Sequence, residues 1–173
     1  MAIESFRGQS PQVEQAAFVA ASADLIGAVA LGEGSSVWYN ATLRADLAPI
    51  TLGRFTNVQD NCCLHIERGM GCHLGDCVTV GHSVTLHACT VEDNCLIGMG
   101  AVVLDGARIG HGSIVGAQAL VTKNTVIPPH SLVLGSPAKV VKALAPEVED
   151  QNRLHAMEYV EFAREYSTPL TPR

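Results

Sequence analysis

Aliphatic residues recur along this chain at intervals of six. The series contains 19 positions between Val19 and Val133, and every one is Val, Leu or Ile. Fifteen of the 18 steps between these positions are six residues long. A repeat of this kind indicates a solenoid, in which each short unit buries its apolar side against its neighbours. The members are Val19, Leu25, Leu31, Val37, Leu43, Leu52, Val58, Leu64, Leu74, Val80, Leu86, Val91, Ile97, Val103, Ile109, Val115, Val121, Ile127 and Val133.

The other positions of the six-residue unit favour short strands joined by tight corners. Small residues dominate four positions after the aliphatic, as at Ala41, Cys62 and Ala101. We predict that both positions point inward, and that glycine serves backbone conformations that other residues resist. Glycine directly follows the aliphatic seven times, at Gly32, Gly53, Gly75, Gly81, Gly98, Gly110 and Gly116.

The three irregular steps predict the shape of the coil. They follow Leu43, Leu64 and Leu86, and they are nine, ten and five residues long. Each is three units from the next, so all the changes in length fall at one corner of a coil with three units per turn. The sequence therefore predicts an all-β triangular prism, a parallel β-helix of about six coils, with its insertions on one edge.

The end of the chain departs from the repeat. Residues 135–139 stop it, and Pro146 with Glu147 opens a predicted helix that reaches about Tyr166. Apolar residues recur there at helical spacing, which favours packing of the helix along the prism. We therefore divide the chain into a β-helix domain, 1–144, and a C-terminal helix with its tail, 145–173. The apolar positions are Ala156, Tyr159, Val160, Ala163 and Tyr166.

Composition narrows the classes of function. With 47% hydrophobic and 16% charged residues, the chain is too apolar to be disordered. A net charge of −6 argues against a nucleic-acid partner. No signal peptide or membrane-spanning run is apparent, so we expect a cytoplasmic protein without a membrane partner. The six cysteines lack C-x-x-C spacing, and we expect small buried hydrophobes rather than disulfides.

One column of polar residues stacks on the prism. Arg44, His65 and His87 each follow the aliphatic of their unit by one, on the same face of three consecutive coils. Neighbouring strands lie about 4.8 Å apart. This spacing allows two imidazoles to bind one metal ion.

A second column lies on the preceding face. Asp60 and His82 each follow their aliphatic by two, and Gln59 lies beside Asp60. His82 can join His65 and His87 most simply across a subunit boundary, and a cyclic homotrimer is the natural closure. Three neutral imidazoles and an open position form a catalytic zinc site, which lowers the pKa of bound water to about 7.

Other polar residues take supporting or ordinary roles. Asp60 or Gln59 could orient a ligand or the bound water. Arg44 and Asp46 could pair across the same interface, with a structural role. The remaining histidines show no convergence in the sequence, and we expect them to be ordinary structural or surface residues: His73, His111, His130 and His155.

Several motifs resemble the γ-class carbonic anhydrases of the hexapeptide-repeat family. They are R-A-D (44–46), T-N-V-Q-D (56–60), His65, V-G-H-S-V-T-L-H (80–87) and I-G-M-G-A (97–101). The resemblance implies a left-handed coil and metal-dependent, reversible hydration of CO2 to bicarbonate. It implies Zn2+, with Fe2+ or Co2+ as alternatives, at trimer interfaces. It also implies these roles: metal ligands His65, His82 and His87; Asn57 and Gln59 near the metal-bound water; an intersubunit ion pair of Arg44 with Asp60; and Tyr159 near the site.

This sequence departs from the family pattern in its proton-transfer elements. The position after R-A-D, where the best-characterised members carry glutamate, is Leu47, and the loop from Ile66 to His73 is short. Fast CO2 hydration needs a route for the departing proton. Glu67 and His73 are the candidates in this loop.

Two other functions stay open at this point. Hexapeptide prisms also host acyltransferases and CoA-thioester hydrolases, although such enzymes usually use one catalytic histidine and a long excursion loop. The third hypothesis is a non-catalytic trimeric scaffold, in which metal holds the subunits together without turnover.

Overall fold

The computed structural model describes residues 2–167, in which short strands precede one helix. The elements are β1 Ala2–Glu4, β2 Phe18–Val19, β3 Asp24–Leu31, β4 Ser36–Val37, β5 Thr42–Leu52, β6 Asn57–Val58, β7 Cys63–His65, β8 Cys72–Leu74, β9 Thr79–Val80, β10 Thr85–His87, β11 Thr90–Val91, β12 Leu96–Ile97, β13 Val102–Val103, β14 Arg108–Ile109, β15 Ile114–Val115, β16 Leu120–Val121, β17 Val126–Ile127, β18 Ser131–Gly135, β19 Ala138–Ala143 and α1 Pro146–Ser167.

These strands wind into the predicted parallel β-helix, and the fold class is confirmed. One face stacks seven parallel strands, which are β2, β4, β6, β9, β12, β15 and β18. The other two faces merge into one 11-stranded sheet, because β3 and β5 run without interruption around the corner between them.

The coil makes about seven turns, whereas the sequence predicted about six. The difference arises at the start of the chain. Strand β1 pairs with β3, and Gln12 forms a parallel bridge with Ala30. The spacing is only partly regular in this coil, since Val13 lies six residues before Val19 whereas Ile3, which pairs with Leu25, lies ten residues before Val13.

The aliphatic series fills the axis of the prism. Eighteen of its 19 members are buried, and Val19, in the first complete coil, is partly buried. Members of successive coils lie in register, as in the ladder from Leu43 through Leu64 and Leu86 to Val103. Each side chain therefore packs on its counterpart one coil away, and this packing holds the coils in a fixed register.

The three irregular steps, two insertions and one deletion, lie at one corner, as predicted. Strand β5 carries the nine-residue step, and a turn in which Glu67 and Met70 exchange backbone hydrogen bonds closes the ten-residue step. His65 and His87 end β7 and β10 at this corner. The repeat thus places both imidazoles where the backbone leaves the regular coil.

The C-terminal segment closes the end of the prism and then returns along it. Strands β18 and β19 form an antiparallel hairpin that the sequence did not predict. Helix α1 confirms the predicted helix, and it packs on β2, β4, β6 and β9 through buried residues that include Ala156, Val160 and Ala163. The division into domains stays a prediction, and residues 168–173 of the predicted tail lie outside the described residues.

Two further expectations concern exposure. Five of the six cysteines are buried, whereas Cys63 is exposed, and all six are free thiols. Across the described residues, no helix has the length and apolar character that crossing a membrane requires.

Candidate metal centre

His65 and His87 form a close pair on one face of the prism. The two residues lie opposite each other in the parallel ladder of β7 and β10. Nδ1 of His65 is 3.1 Å from Nε2 of His87, and the ring centroids are 5.1 Å apart. The predicted column therefore brings two imidazole nitrogens within reach of one ion.

A carboxylate contacts the second nitrogen of each ring. Nε2 of His65 lies 3.3 Å from Oδ1 of Asp46, and Nδ1 of His87 contacts Oδ1 of Asp105. A carboxylate partner on the outer nitrogen fixes the tautomer of a metal-binding histidine. The facing nitrogens, His65 Nδ1 and His87 Nε2, are thus the pair that remains to bind an ion.

Both carboxylates carry negative charge at neutral pH. Burial raises the pKa of Asp46, but hydrogen bonds with His65 and Arg44 outweigh it and hold that pKa below its ordinary value. The ion pair with Lys123 lowers the pKa of Asp105 most, and His87 lowers it further against burial. Each imidazole therefore faces an anion, which stabilises an N–H on the outer nitrogen.

Asp105 and Lys123 were not identified from the sequence. Their spacing could have revealed them, because His87, Asp105 and Lys123 follow one another at intervals of 18 residues, the length of one regular coil. The short step after Leu86 hid it, since Leu86 pairs with Val103, which leaves Asp105 one position beyond the His87 register. The side chains meet only because they reach across the corner.

His82 lies on a different face from this pair. It follows β9 in the sheet opposite, and its Nδ1 is 2.8 Å from Oδ2 of Asp60, which follows β6 one coil earlier. Its side chain is 40% exposed, which leaves it accessible to a neighbouring subunit. The structure thus brings His82 to Asp60 and not to His65 or His87 within one chain.

Asn57 and Gln59 lie beside the His82 half of the site. Nε2 of Gln59 donates to Oδ1 of Asn57 at 3.2 Å, and Nδ2 of Asn57 donates to Oγ1 of Thr79 at 3.0 Å. Both amide side chains are buried. Gln59 also lines an apolar cavity of about 350 Å3 with Gly81, Met99 and other residues.

Tyr159 reaches the same face from helix α1. With Trp38 and Asp60 it lines a cavity of about 440 Å3. Burial, together with the charge of Asp60, raises the pKa of Tyr159. The phenol is therefore protonated at neutral pH and can donate a hydrogen bond.

Arg44 forms its ion pair within the chain, with Asp46. The predicted pairing of Arg44 with Asp60 joins residues of two faces, so it would require a second subunit and stays a prediction. The Arg44 side chain is 46% exposed beside the His65 and His87 pair.

The candidates for proton transfer occupy different surroundings. Glu67 is exposed in the loop after His65, and its charge acts on Lys123. His73 points elsewhere, with its Nδ1 2.9 Å from Oγ1 of Thr51. Leu47 is an exposed apolar residue, 42% accessible.

Within residues 2–167, the predicted ligands form two half-sites on two faces. Among these residues, the three metal-binding side chains whose ligand atoms all lie within 4.8 Å of one another are His111, His130 and Glu149. The expectation that His111 and His130 do not converge was therefore wrong, whereas their ordinary structural role stays a prediction. Glu149, on helix α1, closes this cluster, and only the docking of the helix brings it there.

Comparison with known proteins places the chain among hexapeptide proteins. Residues 88–123 match the family model for bacterial transferase hexapeptide (six repeats). A hexapeptide transferase family protein from Anaplasma phagocytophilum has a similar structure, with a TM-score of 0.90 and 35% identity. The match covers 95% of this chain and 98% of that one.

Several relatives carry carbonic anhydrase names. A carbonic anhydrase of Geobacillus kaustophilus is 42% identical over 165 residues, which cover 95% of this chain and 90% of that protein. Mitochondrial gamma carbonic anhydrase 2 of Arabidopsis thaliana is 41% identical over 90% of this chain. The chain spans only 58% of the plant protein's length. Identity at this level along nearly the whole bacterial relative, together with the repeat and the fold, shows that the chain belongs to the γ-class carbonic anhydrase family.

Proposed function

We propose that this chain hydrates CO2 reversibly to bicarbonate, with a zinc ion held between subunits. The ligands would be His65 and His87 of one subunit and His82 of its neighbour. The single observation that carries the proposal is the 3.1 Å approach of His65 Nδ1 and His87 Nε2, with a carboxylate on the outer nitrogen of each ring. Relatives named carbonic anhydrase support the reaction.

The donor set fits zinc. Zinc–nitrogen bonds of about 2.0–2.1 Å in a tetrahedral site place neighbouring ligand atoms about 3.3 Å apart, close to the nitrogen pair here. Imidazoles also bind Fe2+ and Co2+, so the ion itself belongs to the proposal. A zinc ion with three imidazole ligands supplies Lewis acidity and lowers the pKa of water to about 7.

Residues of the His82 half-site would position the substrate. Asn57 holds Gln59 through a hydrogen bond of 3.2 Å, so the buried amide of Gln59 has a fixed orientation at the edge of the apolar cavity. An apolar wall suits CO2, and the amide can hydrogen-bond one oxygen of CO2 or bicarbonate. Asn57 acts through Gln59 and is a positioning residue, while the protonated Tyr159 donates near Asp60.

The proton released in hydration would leave through Glu67. Glu67 is exposed on the loop that follows His65, and its charge reaches Lys123, the partner of Asp105. His73 is held by Thr51 and does not face the histidine pair. Leu47 occupies the position at which better-known relatives have an acidic residue. Because this leaves Glu67 as the one exposed proton acceptor among these candidates, we expect slow turnover.

A trimer follows from the two half-sites. Each chain offers the His65 and His87 pair on one face and His82 on another, so a closed ring satisfies every half-site with one kind of contact. An oligomeric protein that acts on a small molecule is consistent with the family. The number of three subunits is part of the proposal. The cytoplasmic location stays a prediction, since one relative is named as mitochondrial.

Subunit complementation tests this arrangement directly. His82→Ala and His87→Ala should each lose the interfacial metal and CO2 hydration. Mixed in equal amounts, unfolded together and reassembled, they should regain about one quarter of the wild-type sites, because a random ring joins an intact pair to an intact His82 at one contact in four. Metal content by mass spectrometry and CO2 hydration by stopped flow measure the two parts separately.

The controls separate site from reaction. Glu161→Gln, at an exposed residue of α1 that pairs with Arg164, should match wild type in metal content and in CO2 hydration. No recovery in the mixture would refute the shared site. Recovery of metal without CO2 hydration would refute the proposed reaction. It would leave two functions, a non-catalytic metal-binding scaffold or cleavage of CoA thioesters, and thioester cleavage is assayed on the same samples.

A further inference from the structure

Two histidines and a glutamate converge at another corner of the prism. His130 lies directly above His111 on the next coil, and its backbone N–H donates to the His111 carbonyl at 2.8 Å. The two rings meet edge to face with centroids 4.6 Å apart. Glu149, in the first turn of α1, directs its carboxylate at both rings.

The nitrogen–oxygen contacts in this cluster, which include a long hydrogen bond from His111 to Glu149, match the spacing of ligand atoms around a metal ion. Nδ1 of His111 is 3.4 Å from Oε1 of Glu149, and Nδ1 of His130 is 3.5 Å from Oε2. Good N–H···O hydrogen bonds are about 2.7–3.2 Å long. Neighbouring ligands of a tetrahedral zinc lie about 3.3 Å apart, given bonds of about 2.0–2.1 Å.

One donor atom at the centre has no hydrogen-bond partner. Nδ1 of His130 is shielded from solvent and makes no hydrogen bond, which is costly for a buried polar atom. Within the described chain it is the one buried side-chain nitrogen or oxygen in this condition. An ion between the three side chains would satisfy it.

The residues around this cluster, Asn94 and Gly112, favour the binding of an ion. Nδ2 of Asn94 donates to Oε1 of Glu149 at 2.8 Å, the kind of support that ligating carboxylates receive. Burial raises the pKa of Glu149, but hydrogen bonds from Asn94 and His111 outweigh it, so Glu149 is ionised at neutral pH. Gly112 leaves space, because a Cβ there would lie 2.7 Å from Nδ1 of His130 and 3.1 Å from Oε2 of Glu149.

We propose that His111, His130 and Glu149 form a second metal site, selective for zinc-like divalent ions, which ties helix α1 to two coils of the prism. Two imidazoles and a carboxylate are a common zinc donor set, and water would complete the coordination. The ligands come from β-helix corners and from the helix, so binding resists separation of the two. The site is independent of His65, His82 and His87.

Metal counting in defined variants tests the proposal. The wild-type protein, freed of metal and reloaded with Zn2+, should hold one ion per chain more than His130→Ala or Glu149→Gln. In the His87→Ala background one zinc per chain should remain, and adding His130→Ala should remove it. Zn2+ should raise the Tm of His87→Ala, and His130→Ala in that background should abolish this shift and weaken zinc affinity at least roughly tenfold.

The outcomes distinguish this site from the interfacial one. Glu161→Gln, an exposed glutamate of α1, is the control matched to Glu149→Gln and should retain the full count. Equal zinc content in His130→Ala, Glu149→Gln and wild type would overturn the proposal, as would a zinc-free His87→Ala protein. If the interfacial site alone is wrong, wild type binds one zinc, His87→Ala still binds it, and His130→Ala binds none. Circular dichroism confirms that each variant is folded.

Discussion

The carboxylate behind His87 offers the sharpest test of the paired-histidine site. Asp105→Asn keeps the shape of the side chain and removes its charge. His87 Nδ1 contacts Asp105 directly, and the carboxylate is only 14% exposed, so solvent replaces little of the lost interaction. Loss of such a partner typically weakens metal binding 10–100-fold, or about 1.4–2.7 kcal/mol.

The structure also predicts an order of effects. Asp46 lies 3.3 Å from His65, beyond the range of a good N–H···O hydrogen bond, while both carboxylates also pair with a cation, Arg44 for Asp46 and Lys123 for Asp105. Asp46→Asn should therefore weaken zinc binding less than Asp105→Asn does. Both variants should lower CO2 hydration mainly at limiting zinc, where occupancy controls the rate.

Competition with a chromogenic chelator measures the affinities, provided that the second, His130-containing site is removed in every sample. Asp150→Asn is the control, because that carboxylate is 74% exposed on α1, which packs on the sheet that does not contain His65 and His87. Zinc affinity of Asp105→Asn equal to that of Asp150→Asn would refute the reasoning, and so would a larger loss in Asp46→Asn.

Two further predictions concern the stability of the prism. Burial raises the pKa of Asp76, but the ion pair with Arg54 outweighs burial and lowers that pKa below the ordinary 3.8. The ion pair therefore stabilises the fold above pH 3.8. This stabilisation is lost as the pH falls through the lowered pKa of Asp76 in the folded protein. Asp76→Asn should cost about 0.2–1 kcal/mol at pH 7, since both groups are partly exposed, and the difference from wild type should shrink towards pH 3 in urea titrations. Gly53→Ala should destabilise the fold by about 1–3 kcal/mol, because the added Cβ would lie 2.4 Å from the backbone of Gly75 on the next coil. An unchanged midpoint of urea unfolding would contradict that packing.

The fold could be read from the sequence because its stabilising contacts are periodic. A residue that points inward in one unit does so again six residues later, and Leu43, Leu64 and Leu86 reveal the corner where the period breaks. The first coil escaped detection because its spacing is irregular: Val13 lies six residues before Val19, but Ile3, which pairs with Leu25, lies ten residues before Val13. The hairpin of β18 and β19 escaped because β19 lies beyond Val133, the last member of the repeat, which belongs to β18.

The sequence by itself determined the prism, the helix and the column that holds His65 and His87, because register along a coil follows from counting residues. Only the tertiary structure decided which charges meet across corners. Asp105 joins His87 through a one-residue shift, and Glu149 joins His111 and His130 because the helix docks beside their corner. Counting residues along one chain fixes neither contact, since each depends on side-chain reach and helix packing in three dimensions.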